Sequence, residues 1–401
     1  MPMVKAPFNG QLNANEIFTS IFNMTISQEV FSNNVSDVGG LVEKFRVDGS
    51  MYGDTKLYYA TDALQSEPWG KDAEATNLLQ LHRPQDPKCQ AVVIDQFRQI
   101  SLTVDNYLTK RAWGDEYAFG QFTSVMLGWM GETKRIYDFT LINAYVGATV
   151  AGSAKKATVN IDITTATTGL TGLEAARMEG LTIAEAMANL FVEMTKDVSR
   201  DFNDYGYIRK YSMSDLLVVW NSKYINKIRK VDLPTVFHKD GLIDKFGEEV
   251  LPERYFGTTI TSSNISTYSA STPAAGKPIN SSTGAYTPGS SNANGTIRSL
   301  IEKTYTVSSV EYHVFPGDEL AAGAIIGTGS SANFAPGEIY IEESTIICKV
   351  MHNRSIPFMS AFTVATEFWN GKSLTENHYL TWGYSKPDYL KNYPMIAVKK
   401  V

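Results

Sequence analysis

Two cysteines and five histidines are all that this 401-residue chain offers to disulfides, soft metals and imidazole catalysis. Cys89 and Cys348 lie far apart, with neither a CxxC spacing nor a Cys/His cluster. A disulfide framework and a structural zinc site are therefore not predicted, and a reducing compartment fits. No two of His82, His238, His313, His352 and His378 stand three or four residues apart, so no pair shares a helix face for metal or base work. Charge is scarce as well. Only 19% of residues are charged, the net charge is −6 and the pI is about 5.5. No basic field exists to release counterions from nucleic acid, which argues against tight, sequence-specific DNA binding. No apolar run of about 18 residues is present, so no membrane-spanning helix is predicted. The start, Met1-Pro2-Met3-Val4-Lys5, runs into polar residues without the apolar core of a signal peptide. Internal repeats are absent. Gly323, Gly327 and Gly329 precede Ser330 and Ser331 without a lysine, so they make no phosphate loop; no GxSxG elbow occurs either. The acidic pairs Asp115/Glu116, Glu248/Glu249 and Glu342/Glu343 are adjacent and point apart, which suits solvated faces better than acid/base work. No residue is thus assigned a catalytic, cofactor-binding or metal-binding role, and no cofactor is expected.

What is present is core material and neutral polar surface. The hydrophobic fraction is 43% and the aromatic fraction 11%, enough for a packed interior. The length predicts two or three lobes. Ser, Thr, Asn, Gly and Tyr replace the missing charge, a surface suited to burial against neighbours.

Residues 1–40 carry Ile17, Phe18, Ile21 and Phe22 at helical spacing in a polar setting. An arm packing on a neighbour and a helix on its own core fit this equally. Leu41–Val47 and Thr55–Thr61 read as strands around the turn Asp48-Gly49, and strand signals resume at Ala91–Phe97 and Ile100–Val104. Between them, Gln65–Cys89 is polar and broken by Pro68, Pro84 and Pro87. That is either a long projecting hairpin or an ordinary surface loop. Residues 112–147 predict a long helix with Phe122, Val125, Met126, Trp129, Thr133, Ile136, Phe139, Thr140 and Asn143 on one face. At 1.5 Å per residue, roughly 30 residues span about 45 Å and need a broad surface to lie on.

Thr158–Ile163 is strand-like. A second helix is predicted to start at the capping box Thr182-Ile183-Ala184-Glu185, with Ile183, Met187, Leu190, Phe191, Met194, Val198 and Phe202 inward. Leu216–Trp220 reads as a buried strand followed by a short helix, which implies an α/β lobe with a central sheet. Residues 258–296 are Ser, Thr, Asn, Gly, Ala and Pro with one charge, Lys277, and predict an exposed coreless loop. Strands return at Tyr305–Phe315, Ala324–Ile326, Glu338–Cys348 and Phe358–Phe368. The tail holds Trp382, Tyr384, Tyr389 and Tyr393.

This order of elements resembles the major capsid proteins of tailed bacteriophages, the Hong Kong 97-type fold, and most of all the small short-tailed picovirus-like phages of Gram-positive bacteria. The likeness rests on Leu41–Lys56 with Gly49 and Gly53, on Gln99–Trp113 leading into the long helix, on Asp215–Arg229 and on Thr235–Arg254. It spans most of the chain but carries no invariant signature. The resemblance implies an α+β fold with an N-terminal arm (1–40), an extended β-hairpin loop with flanking strands (41–110, the loop itself about 48–105) and a spine helix of a peripheral domain (111–155). It further implies an axial α/β domain (156–303) that includes the polar insertion 258–296, and a return to the peripheral domain (304–401). The implied function is self-assembly into pentamers and hexamers, forming the icosahedral head around double-stranded DNA. The implied location is the virion, assembled in the host bacterial cytoplasm.

On this reading the partners are other copies of the chain, with scaffolding, portal and head-decoration proteins; packaged DNA is touched weakly and non-specifically, and no membrane is involved. Arg46, Lys56, Glu67, Asp72 and Arg83 are candidate charged contacts between subunits, and Tyr58 and Trp69 candidate anchors. Intramolecular packing accounts for each of them equally. Alternative readings are a tail or portal component, which should show longer continuous helical blocks, and, further off, a carbohydrate-active enzyme.

Overall fold

The computed structural model describes residues 40–47, 55–66, 83–105, 116–149, 152–230, 247–265, 296–321, 324–327, 329–330 and 332–401. The expected arm, the loop centre at 67–82 and most of the polar insertion, 266–295, lie outside this set. Among the described residues the strands form four sheets.

The first sheet has five strands. They are β1 (Arg46–Val47), β2 (Thr55–Ala60), β3 (Lys88–Asp105), β13 (Phe358–Asn370) and β14 (Thr375–Ser385), in the order β1-β13-β14-β3-β2. β3 is one unbroken strand of 18 residues where the sequence suggested two. Its first part pairs antiparallel with β2, from Thr55↔Val93 to Ala60↔Lys88, and its later part with β14. Leu41–Val47 is a correction: Gly40–Phe45 is a helix, α1, and only Arg46–Val47 is a strand. Leu41, Val42 and Phe45 recur at helical spacing and are buried in the main core, so burial of that face outweighs the β-preference of valine and phenylalanine.

Helix α2 (Glu116–Ala148) lies against this sheet. The helix is as long as predicted, but its predicted inner face needs correction. Trp129 is exposed, whereas Met130, Tyr137, Asp138, Leu141 and Ile142 are buried. From Leu141 to Ala148 only Tyr145 is not buried, because α1, the sheets and Tyr255 surround the last turns. A one-sided stripe does not describe a helix end enclosed on all sides. Gly147 permits that enclosure: a Cβ there would overlap the Tyr255 carbonyl.

The second five-stranded sheet runs β4 (Thr158–Ile161), β15 (Met395–Lys400), β12 (Ile346–His352), β5 (Leu216–Asn221), β6 (Gly247–Leu251). The apolar run Leu216–Trp220 is buried throughout, as predicted. Leu217 and Val219 pack into the core shared with α2, while Leu216, Val218 and Trp220 pack under α4 (Gly172–Lys196) and α5 (Ser222–Lys230). A strand covered on both faces loses polar alternation. α4 corrects the capping-box expectation. The helix begins ten residues earlier, and Thr182 sits inside it with its hydroxyl donating to the Met178 carbonyl at 2.8 Å. Side-chain back-bonding of this kind lets a threonine occupy a helix interior. Ile183, Met187, Leu190, Phe191 and Met194 are buried as expected, and so is Phe202 beyond the helix; Val198 is exposed. The end of the predicted strand Thr158–Ile163 becomes a short helix, α3 (Ile163–Ala166), whose Thr165 N–H donates to Asp162 at 2.8 Å.

A third assembly occupies Gly257–Glu342. β7 (Gly257–Thr259) and β8 (Ile297–Ser299) flank β11 (Ile339–Glu342), and β9 (Lys303–Val307) pairs with β10 (Val310–Val314). The expected strand Tyr305–Phe315 folds back at Ser308 and Ser309, both with positive φ, the backbone of a two-residue hairpin turn. Ile260, placed by the sequence in a coreless loop, is fully buried with Ile297, Tyr305, Phe334 and Ile339. Strands from 304–401 thus enter all four sheets. Among the described residues, no helix is long and apolar enough to cross a membrane.

Candidate intersubunit contact surface

β13 and β14 change character along their length. At the inner end Phe358, Met359, Trp382, Tyr384 and Ser385 are buried. Tyr137 from α2 meets both Trp382 and Tyr384 edge-on, with ring centroids 6.2 and 5.5 Å away, and its hydroxyl bonds that of Tyr384. Burial, with Tyr384 alongside, holds the Tyr137 hydroxyl in its protonated form. Arg98 stacks over the Tyr137 ring at 5.3 Å and donates to the Glu302 carbonyl at 2.9 Å. A β-bulge then falls between Ala361 and Thr363, and beyond it every residue from Thr363 to Trp369 is exposed. β1 covers the outer edge of β13 only at Phe358 and Met359. Past that point no described strand pairs with this edge. An uncapped edge with apolar side chains is an adhesive surface unless something covers it.

Register places the apolar side chains. Phe97 pairs with Gly383 and Thr103 with Asn377; Asn377 in turn pairs with Phe368, and Thr381 with Val364. Paired residues share a face, so Phe97, Val364 and Phe368 lie on the face away from α2. The odd-numbered residues of β3 continue that face to Ala91 and Cys89, opposite Leu57 and Tyr59. Leu57, Tyr59, Val93, Phe97, Val364 and Phe368 are all exposed, Tyr59 at 65% and Phe368 at 63%. An 18-residue strand extends about 60 Å, so these groups form a long outward apolar row with neutral polar pairs between them, Gln99 with Thr381 and Thr103 with Asn377.

The base of this surface is tied down. The Arg209 guanidinium donates to the Thr61 carbonyl at 2.6 Å and to Asn392 at 2.9 and 3.1 Å. Asp62 accepts from the Ile208 N–H at 2.9 Å and from Arg200 at 2.6 Å, and these bonds hold its carboxyl down at about 2. Gln90 donates to the Tyr389 carbonyl and accepts from the Lys391 N–H. The β2–β3 hairpin therefore leaves a fixed root with Leu57, Tyr59, Val93 and Phe97 exposed on its outward face.

The sequence-predicted contacts scatter. Glu67, Trp69 and Asp72 lie outside the described residues. Arg83 is exposed ahead of β3. Arg46 is 3.3 Å from Glu43 of its own chain. Lys56 is half-buried and holds an interaction within the chain. Tyr58 packs inward with Val92, Ile94, Met359 and Leu390, and that burial raises its hydroxyl above the usual range. Intramolecular packing thus accounts for Tyr58, and its neighbours Leu57 and Tyr59 take the outward face. The run Thr55-Lys-Leu-Tyr-Tyr-Ala has period two in either phase; only the partner strand decides which phase turns out. Phe97, Val364 and Phe368 were legible as strand residues but not as outward ones.

The sequence matches the family model described as Phi29-like phage major capsid protein over residues 4–386. None of the curated proteins matches it. Its fold is similar to a chain in the capsid structure of Staphylococcus phage Andhra, with a TM-score of 0.53 at 11% identity, covering 94% of this chain and 87% of that one. It is likewise similar to a chain in the structure of the head fiber and inner core protein gp22 of native bacteriophage P68, with a TM-score of 0.54 at 10% identity, covering 99% and 91%. These likenesses establish an α+β capsid fold, and with residues 4–386 matched the chain belongs to the Phi29-like phage major capsid protein family, whose members form the icosahedral head of the virion.

Proposed function

We propose that this subunit closes into rings of five and six, and the rings into a shell around double-stranded DNA, through the outward face of the β2-β3-β14-β13 sheet and the open edge of β13. The exposed row Leu57, Tyr59, Val93, Phe97, Val364 and Phe368 on a firmly rooted sheet carries the reading. Interfaces take their energy from apolar and aromatic groups at their centre, with neutral polar pairs filling in. In this account the first sheet with α2 is the peripheral lobe, β2–β3 is the root of the extended loop, and β4-β15-β12-β5-β6 with α4 and α5 is the axial lobe. Residues of 304–401 serve both lobes, since β12 and β15 join the axial sheet. Residues 1–40 are the arm, and Glu67, Trp69, Asp72 and Arg83 extend the contact beyond the sheet. Scaffolding, portal and head-decoration proteins complete the set of partners. An acidic subunit holds DNA by enclosure rather than affinity.

Negative-stain microscopy of the purified chain, alone and co-expressed with the phage's scaffolding protein, tests this. Capsomers or uniform shells are expected. A chain that stays monomeric under both conditions would sink the proposal.

A further inference from the structure

Near the tip of the β13–β14 hairpin, on the face opposite the apolar row, three ligand-bearing side chains converge. Glu367 pairs directly with His378 across the strands, and Glu376 stands two residues before His378 on the same side of β14. One ligand atom of each lies within 4.8 Å of the other two. His378 is only 7% exposed, and its Nε2 is buried without a hydrogen-bond partner. The closest Glu376 oxygen, at 3.8 Å, is beyond hydrogen-bond reach. Burying an imidazole nitrogen with nothing to bond is costly, and an orphan of this kind calls for a ligand.

We propose that Glu367, Glu376 and His378 form a binding site for a divalent first-row transition cation such as Zn2+. One imidazole nitrogen and two carboxylate oxygens are a hard-to-borderline N/O set that suits such ions, and three protein ligands leave a position open for water or a further group. Metal–ligand bonds of about 2.1 Å put ligand atoms roughly 3–3.5 Å apart in a tetrahedral site. Closing from the present spacing requires side-chain adjustment of about an ångström at both carboxylates, and the exposure of Glu367 leaves room for it. A bound cation would give His378 Nε2 its partner, neutralise the facing carboxylates and clamp β13 to β14 near the tip of the hairpin. The sequence hides this site, since Glu367 and His378 stand eleven positions apart around a turn.

Isothermal titration of the metal-stripped full-length chain with ZnCl2 tests the site. One equivalent per chain binding saturably in the micromolar range is expected, accompanied by a rise in melting temperature. Glu367→Gln and His378→Asn should each weaken binding at least tenfold, whereas Cys89→Ser, which removes the exposed thiol, should leave it unchanged. Because Glu367 is exposed, its variant tests the site even if the His378 variant misfolds. Co2+ bound to the wild-type chain should give a visible absorption band that Glu367→Gln removes. No saturable binding up to millimolar Zn2+, or equal binding by wild type and Glu367→Gln, overturns the proposal.

Discussion

The inner and outer halves of the β13–β14 hairpin are made from the same two strands and follow opposite rules. At the inner half Phe358, Trp382 and Tyr384 sit in the main core beneath Tyr137, where nearly every side chain is enclosed. At the outer half Val364, Phe368 and Trp369 are comparably apolar and stand exposed. Composition does not separate the halves. What separates them is what lies alongside: α2, α1 and the second sheet cover the inner half, and past the β-bulge at Ala361–Thr363 the β13 side chains from Thr363 to Trp369 are exposed. A bulge bends and twists its strand, and this one falls where the β13 side chains change from buried to exposed. The comparison teaches that a large apolar residue in this subunit is committed either to holding the fold or to holding the shell, and that position in the sheet decides which.

The sharpest division should come from the inner half. Trp382→Ala removes a fully buried indole, so urea unfolding of the unassembled subunit should register a loss of about 3–5 kcal/mol. A loss below about 1 kcal/mol would mean that the inner half is not core.

Asp138 tests the boundary between the halves. It is buried on α2 with one oxygen unpartnered, 3.9 Å from Lys134, which also donates to Ser360 just before the bulge. Burial pushes its carboxyl up to about 6, against the opposing pull of Lys134 and Arg46. The folded chain therefore holds the proton more tightly than the unfolded one, whose carboxyl titrates near about 4. Stability contributed at Asp138 is highest below that value and falls as pH rises towards about 6. Asp138→Asn should accordingly be more stable than wild type at pH 7.5, by about 1–3 kcal/mol, and equal to it near pH 4. Unfolding curves at the two pH values decide the sign; a destabilised variant at pH 7.5 would show that the ion pair outweighs burial.

Tyr137→Phe is a smaller perturbation. It deletes one hydroxyl of the Tyr137–Tyr384 pair and keeps both edge-on ring contacts. A loss of about 1 kcal/mol in urea unfolding is expected. A loss as large as that from Trp382→Ala would assign the stability of the inner half to its polar network.

Much of this fold was legible beforehand. The buried strand Leu216–Trp220, the long helix and the strand character of Thr55–Thr61 and Ala91–Phe97 follow from local pattern, and the order of elements resembled the family to which the chain belongs. What escaped depended on neighbours distant in sequence. Thr182 and Glu185 form a sound capping box, yet a ten-residue extension of α4 absorbs it, because the helix can continue over the second sheet. Leu41–Phe45 has strand-like residues but helical burial. Tyr58 and Tyr59 are adjacent and chemically alike, and only pairing with Gln90 and Cys89 determines that the first turns in and the second out. The cation site joins residues from two strands, and no linear motif encodes it.

The central claim is that the outer face serves the shell and not the fold. Phe97→Ser combined with Phe368→Ser alters two exposed side chains on that face. Exposed positions of this kind change stability by no more than about 0.5 kcal/mol. Thermal melting and electron microscopy of this double variant beside wild type measure both properties on one preparation. The account predicts an unchanged melting temperature with shells absent or grossly defective; shells of normal yield and size from the double variant would contradict it.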